Sequence, residues 1–246
     1  MKSPALLCLH GFLGSPSDWA FLENSLAGMS VQKMFLPGHH PNRAVPKNFE
    51  AAVQDFGQQI QSQYPEGVHL LGYSMGGRLA LGIALAFPES VKSLVLISAS
   101  PGLKTEAERH SRWQLDQTWA HRLRTETFES VLTDWYTLPL FSRFKTCAEF
   151  SDLFQERLSH NPKTLADGLE SLSIVHQPNY WKQLDTLACP TLVIVGSEDS
   201  KYVQIAKSMA CKRPKITLKI ISGADHCPQF THPKAVKGVI ERHFLG

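Results

Sequence analysis

Six short apolar runs, separated by longer amphipathic stretches, constrain the folding of this 246-residue chain more than any other feature. They are ALLCL (5–9), VQKMF (31–35), VHLLGY (68–73), SLVLI (93–97), TLVIV (191–195) and ITLKII (216–221). Short strands alternating with helical periodicity form βαβ units, and such units assemble into a parallel sheet covered by helices on both faces. The runs are nearly apolar on both faces, as a doubly covered sheet requires. Helices are expected over 17–28, 48–63, 75–87, 200–211 and 233–244. With 43% hydrophobic and 19% charged residues the chain can bury one large core, so a single α/β domain is expected.

Between residues 101 and 185 the pattern changes. No strand is evident there, aromatic residues accumulate at helical spacing, and six of the ten arginines fall in it: Arg109, Arg112, Arg122, Arg124, Arg143 and Arg157. A connection of that length is not an ordinary loop. The expected organisation is therefore a core of residues 1–100 and 186–246, with residues 101–185 inserted as a helical cap. Taken singly, each of these arginines reads as part of a solvated helix face.

Composition removes several function classes. Net charge is +3, from 25 basic and 22 acidic residues, with no basic run interleaved with aromatics, so no nucleic-acid partner is expected. The five cysteines, Cys8, Cys147, Cys189, Cys211 and Cys227, are scattered without a CxxC pair, which points to neither zinc nor redox chemistry and fits a reducing compartment. The opening MKSPALLCLHGF has a lysine before an apolar run, but the run is too short for a signal peptide and reads as a buried strand. No segment approaches the roughly 20 apolar residues that span a bilayer, so no membrane insertion and a cytoplasmic location are expected.

The stretch Gly72-Tyr73-Ser74-Met75-Gly76 fits GxSxG. The pattern alone is loose, but here it follows a predicted strand directly and opens a predicted helix, the context a nucleophile elbow requires. The tight turn strains the serine backbone, and the flanking glycines let strand and helix approach. A triad then needs an acid and a histidine from later strand ends, in that order. SEDSK follows the fifth run and ADHCPQF the sixth, which places Asp199 and His226 at successive carboxyl ends of the sheet. Glu198 and Asp225 are rival acids. Asp225 adjoins His226 and is poorly placed to orient its ring, and Asp199 is preferred to Glu198. The backbone N–H groups of Phe12, in the loop after the first strand, and of Met75 would form an oxyanion hole. His10, His39, His40, His69 and His243 read as packing residues, because no pair has metal-ligand spacing beside a carboxylate. No metal site is suggested.

On these residues the chain resembles the α/β-hydrolase fold over nearly its whole length. A narrower resemblance comes from PGL (101–103), the AER segment followed by Arg112, DWY (134–136), Arg157 ahead of NPKTLA, and DSK (199–201). Together with GYSMGGR, which is similar to that family's elbow, these resemble the 2-succinyl-6-hydroxy-2,4-cyclohexadiene-1-carboxylate (SHCHC) synthases of menaquinone and phylloquinone biosynthesis. The resemblance implies elimination of pyruvate from a small-molecule tricarboxylate, with the triad acting as a base and with no metal and no organic cofactor. It also implies substrate contacts from Tyr73, Arg78, Arg112, Arg157, Trp135, Tyr136 and Lys201. Read from the residues alone, Trp135 and Tyr136 belong to the cap core. Two departures from the pattern stand out: about four residues precede the first strand, so the leading strands of the full fold are expected to be absent, and PGHH (37–40) replaces PGHG.

Two other readings remain open at this level. One is a carboxylesterase, a thioesterase or a carbon–carbon bond hydrolase acting on an acidic substrate, which would share fold and triad. The other is a non-enzymatic receptor that keeps the cavity without the chemistry.

Overall fold

The computed structural model describes residues 3–23, 26, 28–40, 44–213 and 215–245. Six parallel strands form one sheet in the order β2-β1-β3-β4-β5-β6: β1 (Ala5–Leu9), β2 (Ser30–Met34), β3 (Val68–Tyr73), β4 (Val91–Ile97), β5 (Thr191–Gly196) and β6 (Ile216–Ile221). Every residue of β1 and β5 is buried, whereas the edge strands β2 and β6 keep exposed positions such as Gln32 and Lys219. Doubly apolar runs thus mark the central strands, and the edges carry polar residues where only one neighbour covers them.

The chain goes from β1 outward to β2, then returns to place β3 on the other side of β1. That reversal opens a crevice at the carboxyl ends of β1 and β3, where a doubly wound sheet binds ligands. Helix α1 (Phe49–Gln63) begins where the Asn48 side chain accepts the Ala51 N–H, and buries Phe49, Ala52, Val53, Phe56 and Ile60 on one stripe. Helix α2 (Met75–Ala86) follows β3 after the single residue Ser74 and is buried from Met75 to Ala84, which makes it the central helix of the fold. The expected helix over 17–28 is a shorter 3-10 turn, Pro16–Leu22. Glu23 adopts an extended backbone and its N–H bonds back to Ala20, ending the turn; residues 24, 25 and 27 of the expected helix lie outside the described residues.

Between β4 and β5 the described residues contain helices and turns only: α3 (Glu106–Thr125), α4 (Phe128–Thr137), α5 (Phe150–Arg157) and α6 (Pro162–Ser171), joined by short 3-10 segments. Thr105 and Glu108 form a capping box at the start of α3, and Asn161 with Pro162 starts α6. Tyr136, Phe141, Phe144, Phe150 and Phe154 pack their rings together inside this insert. Several polar ties hold it to the core, two of which involve carboxylates accepting from the other part. The buried Asp225 carboxylate accepts the Arg143 and Phe144 N–H groups, each at 2.9 Å, and Glu156 accepts the Ser15 and Ser17 hydroxyls at 2.6 and 2.7 Å. Helices α7 (Ser200–Lys212), α8 (Pro228–Thr231) and α9 (Pro233–Leu245) complete the chain. No helix among the described residues is long and apolar enough to cross a membrane.

Candidate active site

Ser74 stands between β3 and α2 with φ 49° and ψ −108°, a left-handed conformation that costs a non-glycine residue energy and persists only where its surroundings impose it. Here they do. Ser74 N–H donates to Ile97 O at 2.8 Å, Gly76 N–H to His10 O at 3.1 Å, and Arg78 N–H to Ser74 O at 3.0 Å. A Cβ on Gly76 would lie 2.3 Å from His10 O, and one on Gly72 2.4 Å from Gly76 O, so the turn closes only with glycine at both positions.

Asp199 follows β5 and caps α7, its Oδ1 accepting the Tyr202 N–H at 3.2 Å. Its other oxygen, Oδ2, is 2.6 Å from His226 Nδ1, and His226 Nε2 is 3.1 Å from Ser74 Oγ. The geometry assigns the tautomer: Nδ1–H donates to the carboxylate, and Nε2 is free to accept the serine proton. The rival acids are engaged elsewhere. Glu198 pairs with Arg143 at 2.7 Å, and Asp225 holds the backbone amides of residues 143, 144 and 227.

Phe12 follows β1 and Met75 opens α2. Among the described residues neither backbone N–H has a hydrogen-bond partner; one lies in the loop after β1 and the other on the helical residue directly after Ser74. Buried histidines support this loop. His10 Nδ1–H donates to Gly11 O at 2.7 Å while its Nε2 accepts the Leu36 N–H at 3.1 Å. His39 Nδ1–H donates to Pro37 O and its Nε2 accepts the Leu13 N–H at 3.0 Å, fixing a residue whose φ is 62°. Burial holds His10 down at a pKa of about 3 and His39 well below the usual imidazole value, so both stay neutral and act as spacers.

Arg78, one turn into α2, is 5% exposed. Its Nη2 donates to Leu172 O at 2.9 Å and its Nη1 to Gln177 Oε1 at 3.3 Å, both neutral acceptors, and no carboxylate is paired with it among the described residues. Burial, and then the like charge of Arg112, lower its pKa to about 10. Arg112 is half-open, with Nε bound to the buried Asp116 at 2.8 Å. Tyr202 stacks edge-on against His226, with ring centroids 4.5 Å apart, and burial raises its pKa above the ordinary phenol value.

Arg157 differs from expectation. It is 2% exposed, its Nη2 is paired with Asp18 at 2.8 Å, and its Nη1 donates to Leu153 O at 3.1 Å. Its charge is already compensated by Asp18, which joins the insert to the first 3-10 turn, so it is not a free arm descending toward substrate. Tyr136 sits in the aromatic cluster of the insert with its hydroxyl against Arg157. Trp135 packs against Phe12 at 5.2 Å, and its buried Nε1–H has no partner among the described residues. Tyr73 donates to or accepts from Cys227 Sγ at 2.9 Å beneath the elbow, and Lys201 is exposed on the first turn of α7. Sequence reasoning did not single out Asp18, Asp116, Gln177 or Tyr202. Only Asp116 left a signal, being four residues after Arg112 on one helix face.

Two surface clefts, of about 390 and 410 Å³, lie away from the triad, one beside Lys47 and His176 and the other between Ser17 and Asn161. Among the described residues no three His, Cys, Asp or Glu side chains assemble as a metal-ligand set.

A serine in a strained strand-to-helix turn, a histidine and an aspartate from later strand ends, and two idle amides define an enzyme of the serine-triad class on an α/β sheet. Residues 4–233 match the family model described as alpha/beta hydrolase fold. The 2-succinyl-6-hydroxy-2,4-cyclohexadiene-1-carboxylate synthase of Serratia proteamaculans is 30% identical, covering 98% of this chain and 93% of the relative. That of Salmonella agona is 32% identical over 95% of this chain and 91% of the relative. Among solved structures, MenH from S. aureus superposes with a TM-score of 0.91 at 30% identity, covering 98% of this chain and 92% of the other. The chain belongs to the SHCHC synthase family within the alpha/beta hydrolase fold.

Proposed function

We propose that this protein is an SHCHC synthase of menaquinone or phylloquinone biosynthesis, a carbon–oxygen lyase that eliminates pyruvate from 2-succinyl-5-enolpyruvyl-6-hydroxy-3-cyclohexene-1-carboxylate. The observation that carries the reading is Arg78: a buried guanidinium within one turn of the reactive serine, held by neutral acceptors and, among the described residues, lacking a carboxylate. A buried cation without a counter-ion is costly, and a substrate carboxylate relieves that cost on binding. The relatives' names add the reaction. A neutral ester would leave Arg78 unpaired, so ordinary esterase chemistry fits the site less well, although the same Ser74–His226 contact would serve it.

In the reaction, His226 Nε2 takes the Ser74 proton while Asp199 holds the imidazole and stabilises its charged form. The serine oxygen removes the ring proton next to the succinyl carbonyl. Negative charge builds on that carbonyl oxygen, which the Phe12 and Met75 N–H groups receive. As the carbonyl re-forms, the electron pair moves through the ring double bond and the carbon–oxygen bond to the enolpyruvyl group breaks. The departing enolate takes up a proton and becomes pyruvate. Every step is a proton transfer or an electron-pair shift within the substrate, and no acyl-enzyme forms. Arg78 and Arg112 hold carboxylates, Trp135 and Tyr73 wall the ring, and Lys201 meets a carboxylate at the rim. Residues 101–185 act as the cap, with Arg157 and Tyr136 serving to seat it. The reaction is assigned to the cytoplasm.

The test follows pyruvate release with lactate dehydrogenase, the substrate being made in situ by the preceding synthase. Rapid release by the wild type and its loss in Ser74→Ala support the assignment. Release at the spontaneous rate in both, with hydrolysis of acidic esters, would replace it with a hydrolase.

A further inference from the structure

Resting on the reading of Ser74, Asp199 and His226 as the working triad, we propose that Asp225 is a positioning residue for the base. Its carboxylate fastens the His226 loop to a turn of the insert, and Arg143 is the second arm of the same clamp. His226 stands in the loop after β6, an edge strand whose single neighbour among the described residues is β5. No further strand end steadies that loop from its outer side, and the insert does so instead. The His226 N–H donates to Leu140 O at 3.3 Å, and the Phe141 ring meets the imidazole edge-on, with centroids 6.4 Å apart.

Asp225 is buried, and among the described residues no lysine or arginine side chain forms an ion pair with it. Its Oδ1 accepts the Cys227 N–H at 3.0 Å, and its Oδ2 accepts the Arg143 and Phe144 N–H groups at 2.9 Å each. One carboxylate thus grips the residue on the far side of His226 and joins it to the backbone of the insert. Hydrogen bonds to an ionised acceptor are stronger than neutral ones, and burial leaves no bulk water to replace them. Arg143 then reaches the other loop. Its Nε and Nη2 donate to the two Glu198 oxygens at 2.8 and 2.7 Å, one residue before Asp199. A single residue of the insert therefore holds the neighbours of both the acid and the base, whose own contact is 2.6 Å. A tie that only stabilised the insert could start from any core residue. Starting beside His226, it turns each shift of residues 140–144 into a shift of the imidazole.

Asp225→Asn puts an amide NH2 against N–H groups in either orientation, so at least one of the three bonds is lost. The expected result is a fall in kcat of about tenfold or more with KM kept within about threefold, since a small misplacement of a reacting group is costly. None of the lost bonds reaches Arg78 or Arg112. A second readout needs no turnover: the imidazole nitrogen-15 resonances of His226, assigned by their loss in His226→Gln. Free imidazole favours the Nε2–H tautomer, so a ring loosened from Asp199 departs from the Nδ1–H form which that carboxylate imposes. A mixture of tautomers in Asp225→Asn, against Nδ1–H in the wild type, supports the proposal. A folded Asp225→Asn with wild-type kcat and tautomer, whatever its melting temperature, overturns it. Should that variant not fold, Arg143→Ala decides, because it alters an exposed side chain. A loss in kcat of about threefold at unchanged KM then supports the clamp, and an unchanged kcat overturns it. If the wild type releases no pyruvate, the reaction assignment falls, while the tautomer of His226 in the same variants still decides the role of Asp225.

Discussion

Replacing Asp18 by asparagine keeps the shape of the side chain, deletes its charge, and isolates the Asp18–Arg157 pair. The two groups are 2.8 Å apart and each is 2% exposed. Solvent therefore cannot move in to replace the lost carboxylate. Arg157 has little slack of its own, since its Nε is already buried without a partner among the described residues. Removing one partner of such a pair costs about 3–5 kcal/mol, because the remaining charge stays buried and uncompensated. For a chain of this size each kcal/mol moves the melting temperature by about 2–4 °C, so a fall of about 6–20 °C is expected. Thermal melts and urea midpoints of wild type and Asp18→Asn measure it. The double variant Asp18→Leu/Arg157→Met should recover most of the loss, since a well-packed apolar pair commonly replaces a buried ion pair at little cost. A loss below about 1 kcal/mol in Asp18→Asn would refute the view that this pair seats the insert. The folded double variant also reports on catalysis: a drop in kcat/KM of about 2–4 kcal/mol there would restore Arg157 as a carboxylate partner.

Ser74→Ala is expected to reduce pyruvate release to near background while leaving substrate affinity within a few-fold; loss of binding instead would mean that the serine holds the ground state. Arg78→Met should lower kcat/KM by about 2–4 kcal/mol yet leave the fold as stable or more so, because it removes a buried cation that has no counter-ion among the described residues; a clear destabilisation would show that the Leu172 and Gln177 contacts outweigh that charge. Stability should fall below neutral pH. His10 and His39 bind no proton in the folded state until far below pH 6.5, whereas in the unfolded chain they protonate through it, so unfolding takes up protons as pH drops. From pH 7 to 5 the loss is about 2 kcal/mol for each such histidine. Urea midpoints at the two pH values check this, and His10→Gln should reduce the slope; a flat profile would refute neutral burial.

What the sequence determined by itself is what is encoded locally along the chain. Apolar runs bounded by turn residues set β1 and β3 at the residues expected, because a strand buried on both faces must be almost wholly apolar; the edge strand β6 also lies where expected, although Thr217, Lys219 and Ile220 are exposed. The elbow was legible because its sterics are local: a left-handed serine with glycine two residues to either side. Asp199 and His226 followed from chain order and strand ends, and the exclusion of Asp225 from its adjacency to His226. The Arg112–Asp116 pair was also written in the chain, at helical spacing. Only the tertiary structure decided what Asp18 and Arg157 do, since they stand 139 positions apart and meet through the packing of the insert on the first turn. It likewise decided that Arg78 has amide and carbonyl partners and, among the described residues, no carboxylate, and that Tyr202 packs against His226. Such choices depend on which charges share a low-dielectric space, and no spacing along a chain records that distance.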